Sequence, residues 1–200
     1  NMRLERLKNQ KLIYPFHLNT KEAKVLWALT SKGFQMAKEH LPELSEDGFR
    51  SEHPLHDFYV TAFHLGEWLR QSPESCDLFS EQELRRLSVD DYPSWVPKNT
   101  IHRPDGYWRV SLPEGLGTMA VEVELKLKSA TDQPNIFRVV WLVRTKAIAK
   151  SLRERLQKGS PDNIQIHTFV LLEDFVQHGW QASIQFGFEQ AKPLSYLFGQ

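Results

Sequence analysis

The sequence contains one cysteine, Cys76, which excludes an internal disulfide and the paired-cysteine patterns of structural zinc sites. No apolar run reaches the roughly 18 residues that a membrane span needs, and the first residues lack the apolar centre of a signal peptide. A glycine-rich phosphate loop is also absent, which argues against nucleotide-driven chemistry. From these absences we expect a cytoplasmic protein with no membrane partner.

The composition is that of a folded protein. Of its 200 residues, 40% are hydrophobic, which is enough to bury the core of one domain, or of one domain with a small appendage. Segments with the helical period alternate with short β-rich segments, and there is no internal repeat or low-complexity tract. The sequence therefore predicts an α/β fold.

The net charge of zero conceals an uneven distribution along the chain. Residues 1–40 contain eight Lys and Arg against three Asp and Glu, and residues 41–100 contain five against twelve. Residues 101–160 then contain eleven basic against six acidic side chains. Two basic blocks flanking an acidic one are compatible with two surfaces that face nucleic acid, although such blocks also occur simply as solvated faces.

The first 42 residues contain a short helix at 2–9, a two-stranded hairpin and a second helix from Ser31. The order of these elements, and the stretch VLWALTSKGFQMA at 25–37, resemble the later part of a winged-helix DNA-binding module. This resemblance implies an incomplete winged-helix-like segment over 1–42, followed by a second domain over 43–200. The cations expected to hold the DNA backbone are Arg3, Arg6, Lys8, Lys11, Lys21 and Lys24.

The second region begins with an amphipathic helix from Pro54, and Ser80 and Glu83 have the spacing of a capping box. Strands are predicted at 101–112, 118–127 and 136–143. A helix at 146–159 then leads to a last buried strand at 163–172, and this strand–helix–strand unit predicts a right-handed parallel crossover.

An unusual pattern of charges occupies the strand AVEVELKLKS at 120–129. Valine and leucine alternate with Glu122, Glu124, Lys126 and Lys128, and Asp105 lies upstream in a Pro-Asp-Gly turn. Alternation places Glu124 and Lys126 on one face of the strand. This pattern is ordinary for a solvated strand, but it is also typical of a site where carboxylates hold Mg²⁺ or Mn²⁺ and a lysine stabilises the attacked phosphate.

Pro104-Asp105 followed by Glu124-x-Lys126 is the arrangement of the PD-(D/E)xK nucleases. Taken with HPLHDFYV, LFSEQELRR, RPDG, VEVELKLKS and VVWLV in that order, the chain resembles the replication-relaxation proteins of plasmids and integrative elements. This resemblance implies a winged helix joined to a restriction-endonuclease-like core, a mixed sheet flanked by helices. It also implies Asp105, Glu124 and Glu122 as metal ligands, and Lys126 or Lys128 as the catalytic lysine.

These patterns leave three functions open. The first is a metal-dependent DNA endonuclease of a mobile element, partnered by DNA and by a relaxase, replication or transposition protein. The second is a catalytically inactive DNA-binding accessory protein or transcriptional regulator in plasmid replication or mobilisation. It is favoured by the short connection at 129–136, where such domains carry a helix. The third is a protein-interaction module whose acidic middle segment binds a basic partner.

Overall fold

The computed structural model describes residues 2–17, 25–40, 54–65, 76–98, 103–112, 115–125, 136–159, 161–185 and 190–198. Within these ranges the chain forms an α/β fold with a seven-stranded mixed sheet flanked by helices, which confirms the predicted class. No helix in the described ranges is long and apolar enough to cross a membrane. The predicted boundary between residues 42 and 43 lies outside the described residues.

The N-terminal segment consists of a helix, a hairpin and a second helix, as the sequence predicts. Helix α1 spans Met2–Asn9, strands β1 (Ile13–His17) and β2 (Val25–Leu29) pair in antiparallel fashion, and helix α2 spans Ser31–Lys38. Thr30 caps α2, since its hydroxyl oxygen accepts the Gly33 N–H at 3.0 Å.

A glycine is required at position 33 because α2 passes very close to the start of β1. A Cβ atom on Gly33 would overlap the carbonyl oxygen of Leu12. The same carbonyl accepts the backbone N–H of Thr30 at 2.9 Å, so the helix cap and the hairpin are joined at one point. The sequence Leu29-Thr30-x-x-Gly33 thus has a packing role, because it fixes α2 against the hairpin.

The main sheet has the order β3-β4-β5-β6-β7-β8-β9. The central pairs β5–β6 and β6–β7 are parallel, and all the other pairs are antiparallel. The strands are β3 (Cys76–Ser80), β4 (Gly106–Leu112), β5 (Gly115–Glu124), β6 (Arg138–Val143), β7 (His167–Leu171), β8 (Ser183–Ile184) and β9 (Lys192–Pro193).

Helices cover both faces of this sheet. One face packs against α3 (Pro54–Leu65), α6 (Leu172–His178) and the turn at Leu194–Phe198. The opposite face packs against α4 (Glu81–Arg86) and α5 (Lys146–Gly159). The parallel crossover from β6 through α5 to β7 is as predicted, and Ser80 and Glu83 form the predicted capping box at the start of α4.

The sheet differs from the sequence predictions in the extent of its strands and in the burial of its charged face. Residues 163–172 were expected to form the last strand, but the short strands β8 and β9 extend the sheet beyond β7. The alternating charges of β5 are ordinary for a solvated strand, but Glu124 is only 5% exposed. Helices on both sides of the sheet explain this burial. Of the short connection at 129–136, residues 129–135 lie outside the described part of the chain.

Candidate acidic site at the sheet edge

Three chain segments meet at the edge of the sheet where β5 ends. Strand β4 runs antiparallel to β5 and its first residue, Gly106, pairs with Val121, so Asp105 lies beside the last residues of β5. The backbone N–H of Arg144, just before α5, donates to the carbonyl oxygen of Glu124 at 3.2 Å. The candidate acidic residues and the first turn of α5 therefore share one sheet edge.

The carboxylate of Asp105 is bound to the backbone of β5. Its Oδ2 accepts the N–H of Val123 at 2.7 Å, in the place where a further residue of β4 would continue the ladder. Its backbone carbonyl accepts the N–H of Glu81 at 3.1 Å, at the start of α4. Asp105 thus joins β4, β5 and the β3–α4 junction, and its side chain is 14% exposed.

His56 of α3 contacts this arrangement from the face of the sheet that α3 and α6 cover. Its Nε2 lies 3.0 Å from the Val123 carbonyl oxygen and 3.3 Å from Asp105 Oδ2. Its Nδ1 lies 3.4 Å from Asp57 Oδ1. These three neighbours are all oxygen acceptors. His56 therefore links α3 to Asp105 and to the end of β5.

Val121 and Val123 pack on the face of the sheet that α3 and α6 cover. Their neighbours Glu122 and Glu124 therefore project from the opposite face of β5. Glu124 is buried and Glu122 is half-buried. Burial, followed by the negative charge of Glu122 and then by Tyr92, raises the pKa of Tyr107 well above its ordinary value. Glu122 therefore acts electrostatically on the core around Tyr107.

The carboxylate oxygens of Asp105, Glu122 and Glu124 are the hard donors that Mg²⁺ prefers. The donor chemistry therefore fits a divalent cation. Among the described residues, however, no three His, Cys, Asp or Glu side chains are grouped closely enough to hold a metal ion. The metal-ligand role of these three carboxylates stays a prediction.

The remaining predicted residues divide between described and undescribed parts of the chain. Lys126, Lys128, Lys21 and Lys24 lie outside the described residues. The other predicted DNA contacts lie in or just after α1 and are exposed, namely Arg3, Arg6, Lys8 and Lys11. In this group Lys8 lies 3.7 Å from Glu5, an exposed ion pair of small energetic weight.

Sequence reasoning missed His56 as a member of this site. Its three-residue spacing from His53, across a proline at the start of a helix, is typical of a helix cap and a surface pair, and His53 lies outside the described residues. The contact with Val123 joins residues 67 positions apart, so no local spacing signals it. Only the packing of α3 on the sheet brings the ring to Asp105.

A cleft of about 590 Å³ lies between the hairpin, α2 and the first turns of α3. Its walls include the aromatic side chains of Tyr14, Trp27, Phe34 and Phe58, and Asp57 also lines it. Because Asp57 contacts His56, the cleft adjoins the acidic site. The N-terminal segment therefore lies across this cleft from the first turns of α3.

Comparison with known proteins adds no assignment, since no family model, no curated protein and no solved structure matches this chain.

Proposed function

We propose that the chain is a DNA-binding protein of a mobile genetic element, related to the replication-relaxation proteins. In this proposal a winged-helix-like segment contacts DNA, and a PD-(D/E)xK-like domain performs Mg²⁺-dependent hydrolysis of phosphodiester bonds. The observation that carries the proposal is the contact between Asp105 and the Val123 N–H at 2.7 Å, which brings the Pro-Asp turn to the Glu-x-Glu strand.

The arrangement of the N-terminal segment supports the DNA-binding part. Hairpin β1–β2 runs directly into capped helix α2, and α1 presents Arg3, Arg6 and Lys8 on an exposed surface. Lys11 is also exposed and has a left-handed backbone conformation, with φ of 57°. Lysine and arginine contacts to phosphates supply most non-specific DNA affinity, so this surface is suited to the duplex backbone.

The oxygen-donor chemistry of these carboxylates supports the hydrolytic part. Asp105 and Glu124, with Glu122, would hold the divalent cation, which supplies Lewis-acid stabilisation and a more acidic bound water. Lys126 or Lys128 would stabilise the negative charge that develops on the attacked phosphate. The hydrogen bond from the Val123 N–H and the contact with His56 would fix the orientation of the Asp105 carboxylate.

The second candidate function is a catalytically inactive DNA-binding accessory protein or regulator. One observation favours it: the Asp105 carboxylate already accepts a backbone N–H and faces His56, which is a sufficient structural reason for an aspartate at this position. Under this alternative the acidic edge is a scaffold joint, and DNA binding alone is the biochemical activity.

The DNA-binding part is tested by the fluorescence anisotropy of a labelled duplex at several salt concentrations. We expect the logarithm of affinity to fall linearly with the logarithm of salt concentration, with a slope of about −0.9 for each phosphate contacted. Arg3→Gln combined with Arg6→Gln should reduce both affinity and slope. A flat salt response, or a double variant that binds like the intact chain, would contradict DNA binding by this segment.

A further inference from the structure

The surface of α5 carries an excess of positive charge, and none of the DNA contacts proposed above lies on this helix. Its apolar side, formed by Ala149, Leu152 and Leu156, is buried against the sheet. The exposed basic residues in and just before this helix are Arg144, Lys146, Lys150, Arg153, Arg155 and Lys158. Glu154 is the one acidic side chain between residues 144 and 158, and it lies 4.0 Å from Lys150 as a weak exposed pair.

Three of these cations form a row along one side of the helix. Lys146, Lys150 and Arg153 are spaced by four and three residues, which places them on a common side. The row extends about 10 Å, since an α-helix rises about 1.5 Å per residue. This length matches about three phosphates of one DNA strand at about 3.4 Å of axis per phosphate.

The position of the row goes against the ordinary charge preference of a helix. The first turn of an α-helix favours acidic side chains because the N-terminal end of the helix dipole is positive. Helix α5 has no acidic residue in its first turn and has Lys146 there, two residues after Arg144. The positive end of the helix dipole repels these cations, and an anionic partner that contacts them would offset this repulsion.

The row also begins at the edge that carries the acidic site. The Arg144 N–H donates to the Glu124 carbonyl, so α5 starts where β5 ends. On the opposite face of the sheet, α3 brings His56 to the same edge and lines the cleft next to the hairpin. Basic side chains of α5 therefore lie on one side of the acidic edge, and the N-terminal segment lies on the other.

From this arrangement we infer that Lys146, Lys150 and Arg153, with Arg144, form a second phosphate-contacting surface that holds duplex DNA across the Asp105–Glu124 edge. The inference rests on the proposed DNA-binding function and names a partner surface for it. An anionic membrane is a poorer fit, because the apolar side of α5 is buried and cannot insert into lipid.

The test compares two double variants of the full chain with equal charge change on the same helix. Lys146→Gln with Lys150→Gln removes two of the three cations of the row, whereas Arg155→Gln with Lys158→Gln removes two charges elsewhere on α5. Binding to a labelled duplex is measured across a salt series. We expect the row variant to bind about tenfold to a hundredfold more weakly at about 0.1 M salt, with the salt slope reduced by up to about 1.8.

The control variant should bind with nearly the intact affinity and slope. Equal weakening of both variants would show that binding depends on overall charge and not on the row, which would overturn the inference. A row variant that binds like the intact chain would overturn it too. Binding of the row to phosphatidylserine vesicles in place of DNA would also overturn it. If the Arg3 and Arg6 variant loses binding while the row variant keeps it, only this inference fails. If the intact chain binds no duplex, the proposed function fails as well.

Discussion

The carboxylate of Asp105 accepts the backbone N–H of Val123, and this bond links the residue before β4 to the end of β5. The same carboxylate lies 3.3 Å from the ring of His56 on α3. A second carboxylate in the chain has the same two kinds of partner, a backbone N–H and a histidine ring. Asp174 of α6 accepts the N–H of Ser183 at 2.6 Å and lies 2.6 Å from His178. This pair of aspartates provides a comparison within one molecule.

Asp105→Ala should destabilise the fold by about 1–3 kcal/mol, because the Val123 N–H, in a residue that is 2% exposed, loses its acceptor. Asp105→Asn should cost less than half as much, since the amide oxygen can still accept this bond. Urea denaturation measures both values. Asp174→Ala and Asp174→Asn should differ in the same direction. Equal stability of the two Asp105 variants would show that the bond carries no net stabilisation.

Gly33→Ala should destabilise the N-terminal segment by about 1–3 kcal/mol or more, since the new Cβ overlaps the Leu12 carbonyl and forces α2 away from the hairpin. Gly159→Ala is the matched control. A Cβ there meets nothing within 4 Å, and the change should be neutral or stabilising by about 0.4–1 kcal/mol. Hydrogen exchange of the hairpin amides in both variants measures the effect. Unchanged exchange in Gly33→Ala would contradict the close approach.

The Cys76 thiol should react slowly with maleimide in the folded chain at neutral pH. Burial, and secondarily the charge of Asp77, raises its pKa from 9.0 to about 12, whereas a hydrogen bond with the Arg109 backbone acts in the opposite direction. The reactive thiolate is therefore scarce, and we expect labelling at least about a hundredfold slower than for free cysteine. Labelling in concentrated denaturant provides the control. Rapid labelling of the folded chain would contradict this environment.

Glu122→Gln should lower the pKa of Tyr107, because the charge of Glu122 contributes to its elevation, although burial remains the larger cause. The raised pKa contributes stability that is fully present below the unfolded value of 10.0 and is lost as pH rises through the folded value. Phenolate absorbance during an alkaline titration follows the change, with Glu124→Gln as the control. An unchanged titration would place the Glu122 charge away from Tyr107.

Local sequence signals account for much of the fold. Ser80 and Glu83 predict the start of α4, and the helical period predicts α5 within its observed bounds. Long-range packing accounts for what was missed. The burial of Glu124 depends on helices covering both faces of the sheet, and the position of His56 depends on α3 reaching β5 from 67 residues away. Neither relationship leaves a periodic trace in the chain.

Cleavage of supercoiled plasmid in the presence of Mg²⁺ or Mn²⁺ tests the central claim most directly. The intact chain is compared with Asp105→Asn and Glu124→Gln, which keep the side-chain shapes, and with Asp174→Asn as the matched control. The account predicts metal-dependent nicking by the intact chain and the control, and a loss of at least about a hundredfold in the two site variants. Plasmid that stays supercoiled with an intact chain that still binds DNA would contradict the hydrolytic activity.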